Sequence, residues 1–207
     1  ALPREAVAAF ARRISVAAIV VTLLIAGAPS IAHAGTGYIH DNSSDGTISS
    51  IDLDTGAITN LVSNAYELRY MNHIAIAPDG NAYVTDPSSD GTLSRVNLGT
   101  GQVTNIRDQT YEFRYGTWFD ISPDGFGYML DNSSDGTLSR VDLSNGAVTN
   151  LKTNVYEYRY YDLIDIGPDG YLYTLDNSSD GTISRIDLNT GNVTNLITNH
   201  YELRYAT

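Results

Sequence analysis

The sequence has no cysteine in 207 residues, and only two methionines and one tryptophan. A disulfide framework, a thiolate metal centre and a cysteine nucleophile are therefore excluded. Basic residues are scarce too: Lys and Arg number 12 against 24 Asp and Glu, a formal charge of −12. Glutamate is confined. Beyond Glu5 it occurs only at Glu67, Glu112, Glu157 and Glu202, each inside one recurring motif. A bilayer-spanning run of about 20 apolar residues is also missing, since ISVAAIVVTLLIAGA at 14–28 falls short.

The first 34 residues differ in kind from the rest. Arg12 and Arg13 precede that apolar run, and Ala32-His33-Ala34 follows it. A basic start, a short apolar core and a small-x-small site are the parts of a secretory signal peptide. The expectation is a leader over 1–34, cleaved in general secretion, and a mature chain from Gly35 that is secreted or periplasmic. Without residues 1–34 the chain keeps nine basic and 23 acidic residues, a formal charge of −14. Such a surface repels phosphate backbones and anionic lipid. Nucleic-acid binding and membrane insertion after cleavage are thereby set aside, and cations, sugars or basic partners suit it better.

From residue 36 onward the chain repeats itself every 45 residues without insertions. The units are 36–80, 81–125 and 126–170, with a fourth at 171–207 that stops early. Pro78-Asp79-Gly80, Pro123-Asp124-Gly125 and Pro168-Asp169-Gly170 mark the register. Four strand-like runs lie between turn signals, as in HIAIA (73–77), NAYVTD (81–86), TLSRVNL (92–98) and QVTNI (102–106). Four antiparallel strands in about 40–45 residues is the period of a β-propeller blade. Alternating β-branched residues and a glycine turn every ten residues or so exclude a helical solenoid. The fold class expected is all-β, a β-propeller of four-stranded antiparallel blades.

The stretch PDGNAYVTD…GTLSRVNLGTGQVTN resembles the blade repeat of the YVTN, NHL and gluconolactonase-like propellers. The matching residues are Pro78-Asp79-Gly80, Tyr83-Val84-Thr85-Asp86, Arg140-Val141-Asp142-Leu143 and Thr190-Gly191. The resemblance covers 36–207 and implies a propeller. It implies no single activity, because that group includes lyases, lactonases, binding proteins and structural modules. In such repeats the run before Pro-Asp-Gly is the innermost strand. The first unit lacks it, the last unit ends where another would start, and Ala1 stands in place of an initiator Met. The chain is therefore expected to be a fragment with about four blades and an incomplete ring.

Antiparallel blades send successive connections to alternate faces. The second connection, DNSSDGT at Asp41, Asp131 and Asp176 and DPSSDGT at Asp86, should share one face with the link between blades. That link repeats Tyr-Glu-x-Arg-Tyr: Tyr66, Glu67, Arg69 and Tyr70; Tyr111, Glu112, Arg114 and Tyr115; Tyr156, Glu157, Arg159 and Tyr160; and Tyr201–Tyr205. In an extended segment Glu and Arg at i, i+2 share one side and the tyrosines the other. Two readings follow. One is a blade-to-blade clasp, with tyrosines packed between blades and Glu paired to Arg. The other is a ring of side chains gripping a sugar or peptide.

The second connection also has two readings. Asp-x-Ser-x-Asp-Gly resembles the start of a calcium loop, with Asp41 and Asp45, Asp86 and Asp90, Asp131 and Asp135, or Asp176 and Asp180 as ligands. The third place is Ser, however, and the twelfth falls on Asp52, Asn97, Asp142 or Asp187, never Glu. The leading reading is a hairpin connection whose Asp-Gly supplies a positive-φ turn, and no cofactor is expected. Asp120 and Asp165 break the pattern on innermost strands where another blade has Ala75. Solvation in the central channel is their first explanation and a metal or small-ligand site their second.

Catalysis needs one asymmetric constellation, whereas here the polar groups repeat in every blade. The expected function is an exported, non-catalytic propeller binding a small molecule, glycan or protein on the loop face. The alternatives are a lactonase- or lyase-like enzyme using Asp120 and Asp165 at the channel mouth, and a purely structural domain of a larger protein.

Overall fold

Residues that alternate between two faces form strands here; those at Asn81–Asp86 and Phe126–Asp131 are buried almost throughout, whereas the last strand of each sheet is largely exposed. The computed structural model describes residues 35–41, 46–69, 73–87, 91–131, 136–155, 158, 161–176 and 181–203. The leader expected at 1–34 lies outside them. The first sheet has three strands, β1 (Thr36–Asp41), β2 (Thr47–Asp52) and β3 (Ile58–Val62). The second has β4 (His73–Ile76), β5 (Asn81–Asp86), β6 (Thr92–Asn97) and β7 (Val103–Arg107). The third has β8 (Gly116–Ile121), β9 (Phe126–Asp131), β10 (Thr137–Asp142) and β11 (Val148–Lys152), and the fourth β12 (Tyr161–Ile166), β13 (Tyr171–Asp176), β14 (Thr182–Asp187) and β15 (Val193–Ile197). Each sheet is an antiparallel meander in sequence order, and the ring of sheets is not closed. Strands β4, β8 and β12 lie side by side as the innermost strands.

The core consists of layers between blades rather than of one central cluster. Alternate residues of a strand therefore enter different layers. Ala82 and Val84 of β5 pack with Ile48, Leu68 and Val96, while Tyr83 between them packs with Leu93, Phe113, Phe119 and Met129. In β9, Met129 joins that second layer, and Tyr128 and Leu130 join a third with Tyr158, Tyr161 and Leu172. This period of two, apolar on both sides, is why the second run of each unit is so apolar.

One device recurs in every blade without having been singled out from the sequence. The last two strands of each sheet slip register by one residue, between Ile48 and Ser49, Leu93 and Ser94, Leu138 and Ser139, and Ile183 and Ser184. At each bulge a serine hydroxyl donates to an asparagine carbonyl across the pair. The bonds are Ser49 to Asn60 (2.8 Å), Ser94 to Asn105 (2.7 Å), Ser139 to Asn150 (2.9 Å) and Ser184 to Asn195 (2.9 Å). Bulges turn a strand locally and increase its twist, and the Ser–Asn pair fixes where this one falls.

Candidate functional site

Backbone hydrogen bonds bring the two polar loops of each unit together. The glycine ending the second connection accepts from the link to the next blade: Ala65 N–H to Gly46 O (3.4 Å), Thr110 to Gly91 (3.2 Å), Val155 to Gly136 (3.1 Å) and His200 to Gly181 (3.2 Å). Gly91 has φ +56°, and a Cβ there would strike the Thr110 carbonyl and the Arg114 side chain. Both the turn and the close approach therefore demand glycine. In each unit the end of the second connection and the link to the next blade thus meet at that glycine.

The conformation of the link is not the extended one expected. Tyr111–Tyr115 is a short helix, α1, and Tyr66–Leu68 and Tyr201–Leu203 are 3-10 turns. In all four links the residue between Glu and Arg donates its N–H three residues back: Leu68 to Ala65, Phe113 to Thr110, Tyr158 to Val155 and Leu203 to His200. On a helical turn residues i and i+2 point about 200° apart, so Glu112 and Arg114 do not share a side. The clasp is corrected accordingly. The plug between blades is the variable residue, with Leu68, Phe113 and Tyr158 fully buried. The first tyrosines instead face solvent: Tyr66 is 57%, Tyr111 53% and Tyr201 69% exposed. Tyr115, 46% exposed, lies against Tyr111 with ring centroids 4.7 Å apart.

Arg69 sits over the Tyr66 ring at 5.7 Å, and Nε of both Arg69 and Arg114 is buried without a hydrogen-bond partner. The residues Tyr70, Tyr156, Glu157, Arg159 and Tyr160 lie outside the described set, as do the side chains of Glu67 and Glu202.

Beside α1 lies a cavity of about 330 Å³, lined by Tyr111, Glu112, Asp131, Thr137, Asn150, Thr153 and Asn154. Asn154 holds a left-handed backbone at φ 57°, as do Asn64, Gln109 and Asn199 at the equivalent positions. Asp131 and its counterpart Asp86 end their strands almost fully buried, whereas Asp41 is exposed and Asp176 half-buried. Asp45, Asp90, Asp135 and Asp180 lie outside the described residues. The twelfth places of the calcium-loop alignment are occupied in another way. Asp52 Oδ1 accepts from the N–H groups of Asp54 and Thr55 (both 2.9 Å), and Asp187 Oδ1 from Asn189 (2.8 Å) and Thr190 (3.1 Å). Asn97 makes the same turn with Gly99 (3.0 Å) and Thr100 (2.9 Å), so Asp and Asn are interchangeable there. These bonds hold the Asp52 carboxyl below its ordinary range, and in Asp142 a Ser144 hydroxyl does so first. Among the described residues no three of His, Asp or Glu gather as a metal set.

Asp120 is an inter-blade staple. Its Oδ1 accepts from Ile121 N–H (2.8 Å), and its Oδ2 from Ile166 N–H of the next innermost strand (2.9 Å). Asp165 is half-buried one blade on. Another junction contact is the stack of His73 on Trp118, centroids 4.0 Å apart. At the Pro-Asp-Gly turns, Tyr83 donates to Asp79 Oδ2 (3.2 Å) and Tyr173 to Asp169 Oδ2 (2.7 Å). Burial, together with that acceptor, pushes the Tyr173 phenol up to about 12.

Blades in radial order, with two polar loops of every unit gathered on one face, define a β-propeller repeat protein. Residues 15–155 and 119–204 match the repeat of unknown function DUF6923, and the chain belongs to that family. No curated protein matches it. Among solved structures it is similar to a streptogramin B lyase (TM-score 0.62, 15% identity, 88% of this chain and 55% of that one). It is also similar to a chain of a nidogen/laminin complex (0.61, 17%, 80% and 63%) and to YCF48 bound to D1 peptide (0.55, 14%, 78% and 50%). The chain thus spans between half and two thirds of the length of these neighbours.

Proposed function

We propose that this is an exported, non-catalytic propeller of the YVTN and NHL kind that binds a ligand or partner through its loop face, with no bound calcium. The carrying observation is the exposure of Tyr66, Tyr111 and Tyr201 on that face. A fold does not need a large aromatic ring in solvent at the same place in three of its links, and tyrosine is a favoured contact residue in binding surfaces. At Asp120 each carboxylate oxygen accepts a backbone N–H, one of them from the next blade, which favours a structural role for that side chain over the enzyme reading. Solved neighbours include a lyase as well as a peptide-bound protein, so their likeness favours neither reading.

The test is the triple variant Tyr66→Ser, Tyr111→Ser, Tyr201→Ser, measured for thermal stability and for retention on immobilised glycans and peptides. Unchanged melting with lost retention is expected. A large fall in melting temperature would restore the clasp. Turnover of lactones or esters by the wild type, lost in Asp120→Asn, would restore the enzyme.

A further inference from the structure

Resting on the loop face as the binding face, the cleft beside α1 has chemistry specific enough to name a ligand class. One wall is aromatic, Tyr111 backed by Tyr115. The same cleft is lined by Thr137, Asn150 and Asn154 and by the carboxylate residues Glu112 and Asp131. Ser139 holds the carbonyl end of Asn150, leaving NH2 as that side chain's donor. An aromatic ring lining one cleft with hydroxyl-, amide- and carboxylate-bearing residues suits a pyranose, which is C–H on its flat side and O–H around its edge. The cavity lies at the small end of ligand sites, with room for roughly one or two rings.

Charge narrows the class further. With Glu112 and Asp131 at the cleft and −14 on residues 35–207, a uronate, sulfate or phosphate ester would be repelled. The 45-residue period then adds a second constraint. Tyr66, Asp86, Thr92 and Asn105 stand in the preceding unit where Tyr111, Asp131, Thr137 and Asn150 stand here. The left-handed position recurs as Gln109. We infer that the junction at α1 and the one before it each carry a saccharide subsite, and that the ligand is a neutral oligosaccharide or glycan chain whose successive units engage successive junctions. Several weak subsites on one rigid face then act together through effective concentration.

Titration calorimetry on the 207-residue chain tests this with neutral hexasaccharides of gluco, manno, galacto and N-acetylglucosamine type, against hexagalacturonate and hexalysine. At least one neutral hexasaccharide is expected to bind, and hexagalacturonate is not. Tyr111→Ser should weaken binding about tenfold, the scale of one aromatic stacking contact. Asn154→Gly should weaken it roughly threefold, since glycine keeps the left-handed backbone and removes only the amide. Both variants should melt with the wild type. Absence of binding by every neutral hexasaccharide, or binding unchanged in both variants, overturns the saccharide assignment. Salt-sensitive binding of hexalysine in its place overturns the saccharide and leaves the loop face as a binding face. Saccharide binding lost instead in Tyr173→Phe, at a Pro-Asp-Gly turn, with melting unchanged, overturns the loop-face reading itself.

Discussion

Gly91 and Gly80 separate two costs that glycine positions usually confound. Both have positive φ, +56° and +79°, but a Cβ on Gly80 meets nothing within 4 Å, whereas one on Gly91 meets the Thr110 carbonyl. Gly80→Ala should cost about 1 kcal/mol, the backbone term alone. Gly91→Ala should cost about 2–4 kcal/mol, because backbone in the adjoining link must move as well. Denaturant midpoints of the two variants check the difference. Gly91 thus reports a close approach between its own turn and the adjoining link. Tyr173 gives a second prediction at this scale. Its phenol is raised from 10.0 to about 12 by burial and by Asp169. The stabilisation is therefore complete below pH 10 and is lost as pH rises through 12. Tyr173→Phe should flatten the stability profile in that window relative to wild type.

At the scale of the element, the link between blades reverses the roles that its composition suggests. Phe113 is the buried residue and Tyr111 the exposed one. Phe113→Ala should destabilise by about 3–5 kcal/mol, and Tyr111→Ser by less than about 0.5 kcal/mol; paired thermal melts decide. The strands themselves were legible in the sequence. β4 to β7 fall within a residue of the runs read from HIAIA, NAYVTD, TLSRVNL and QVTNI, because alternation and glycine turns specify them locally. The helical turn was not legible, since five residues give no helical period and tyrosine has strand propensity. Two signals were nevertheless present. An Asn or Gln stands two residues before each motif, at Asn64, Gln109, Asn154 and Asn199, and takes the left-handed turn. The unnamed residue between Glu and Arg is apolar or aromatic every time, as a buried plug must be. Asp120 was legible as an exception in its strand. Its partner Ile166 was not, because a bond across 46 residues has no local trace.

For the whole molecule, stability resides in the layers between neighbours. Deleting residues 161–203 would uncover Tyr128, Leu130, Leu138 and Tyr158 at once. The shortened chain should melt at a lower temperature and associate, as scanning calorimetry and light scattering would report. Near-neighbour energetics of this kind are expected of repeat arrays. Calcium is predicted to contribute nothing comparable. Excess calcium over EDTA should move the melting temperature by less than about 2 °C, whereas a bound ion in excess would raise it by mass action.

The phase of the repeat has an evolutionary corollary. A 45-residue unit such as 81–125 begins at β5, takes in α1, and ends after β8, so it straddles two sheets. An in-frame duplication of that length brings the second, third and fourth strands of one blade, the plug that seals the junction, and the innermost strand of the following blade. The new joints are copies of joints that already work. Replication slippage in such a gene can therefore change the number of clefts while leaving the chemistry of each cleft untouched. On the proposed saccharide reading, binding strength toward a chain-like ligand then becomes a matter of copy number, adjustable without altering a single contact residue.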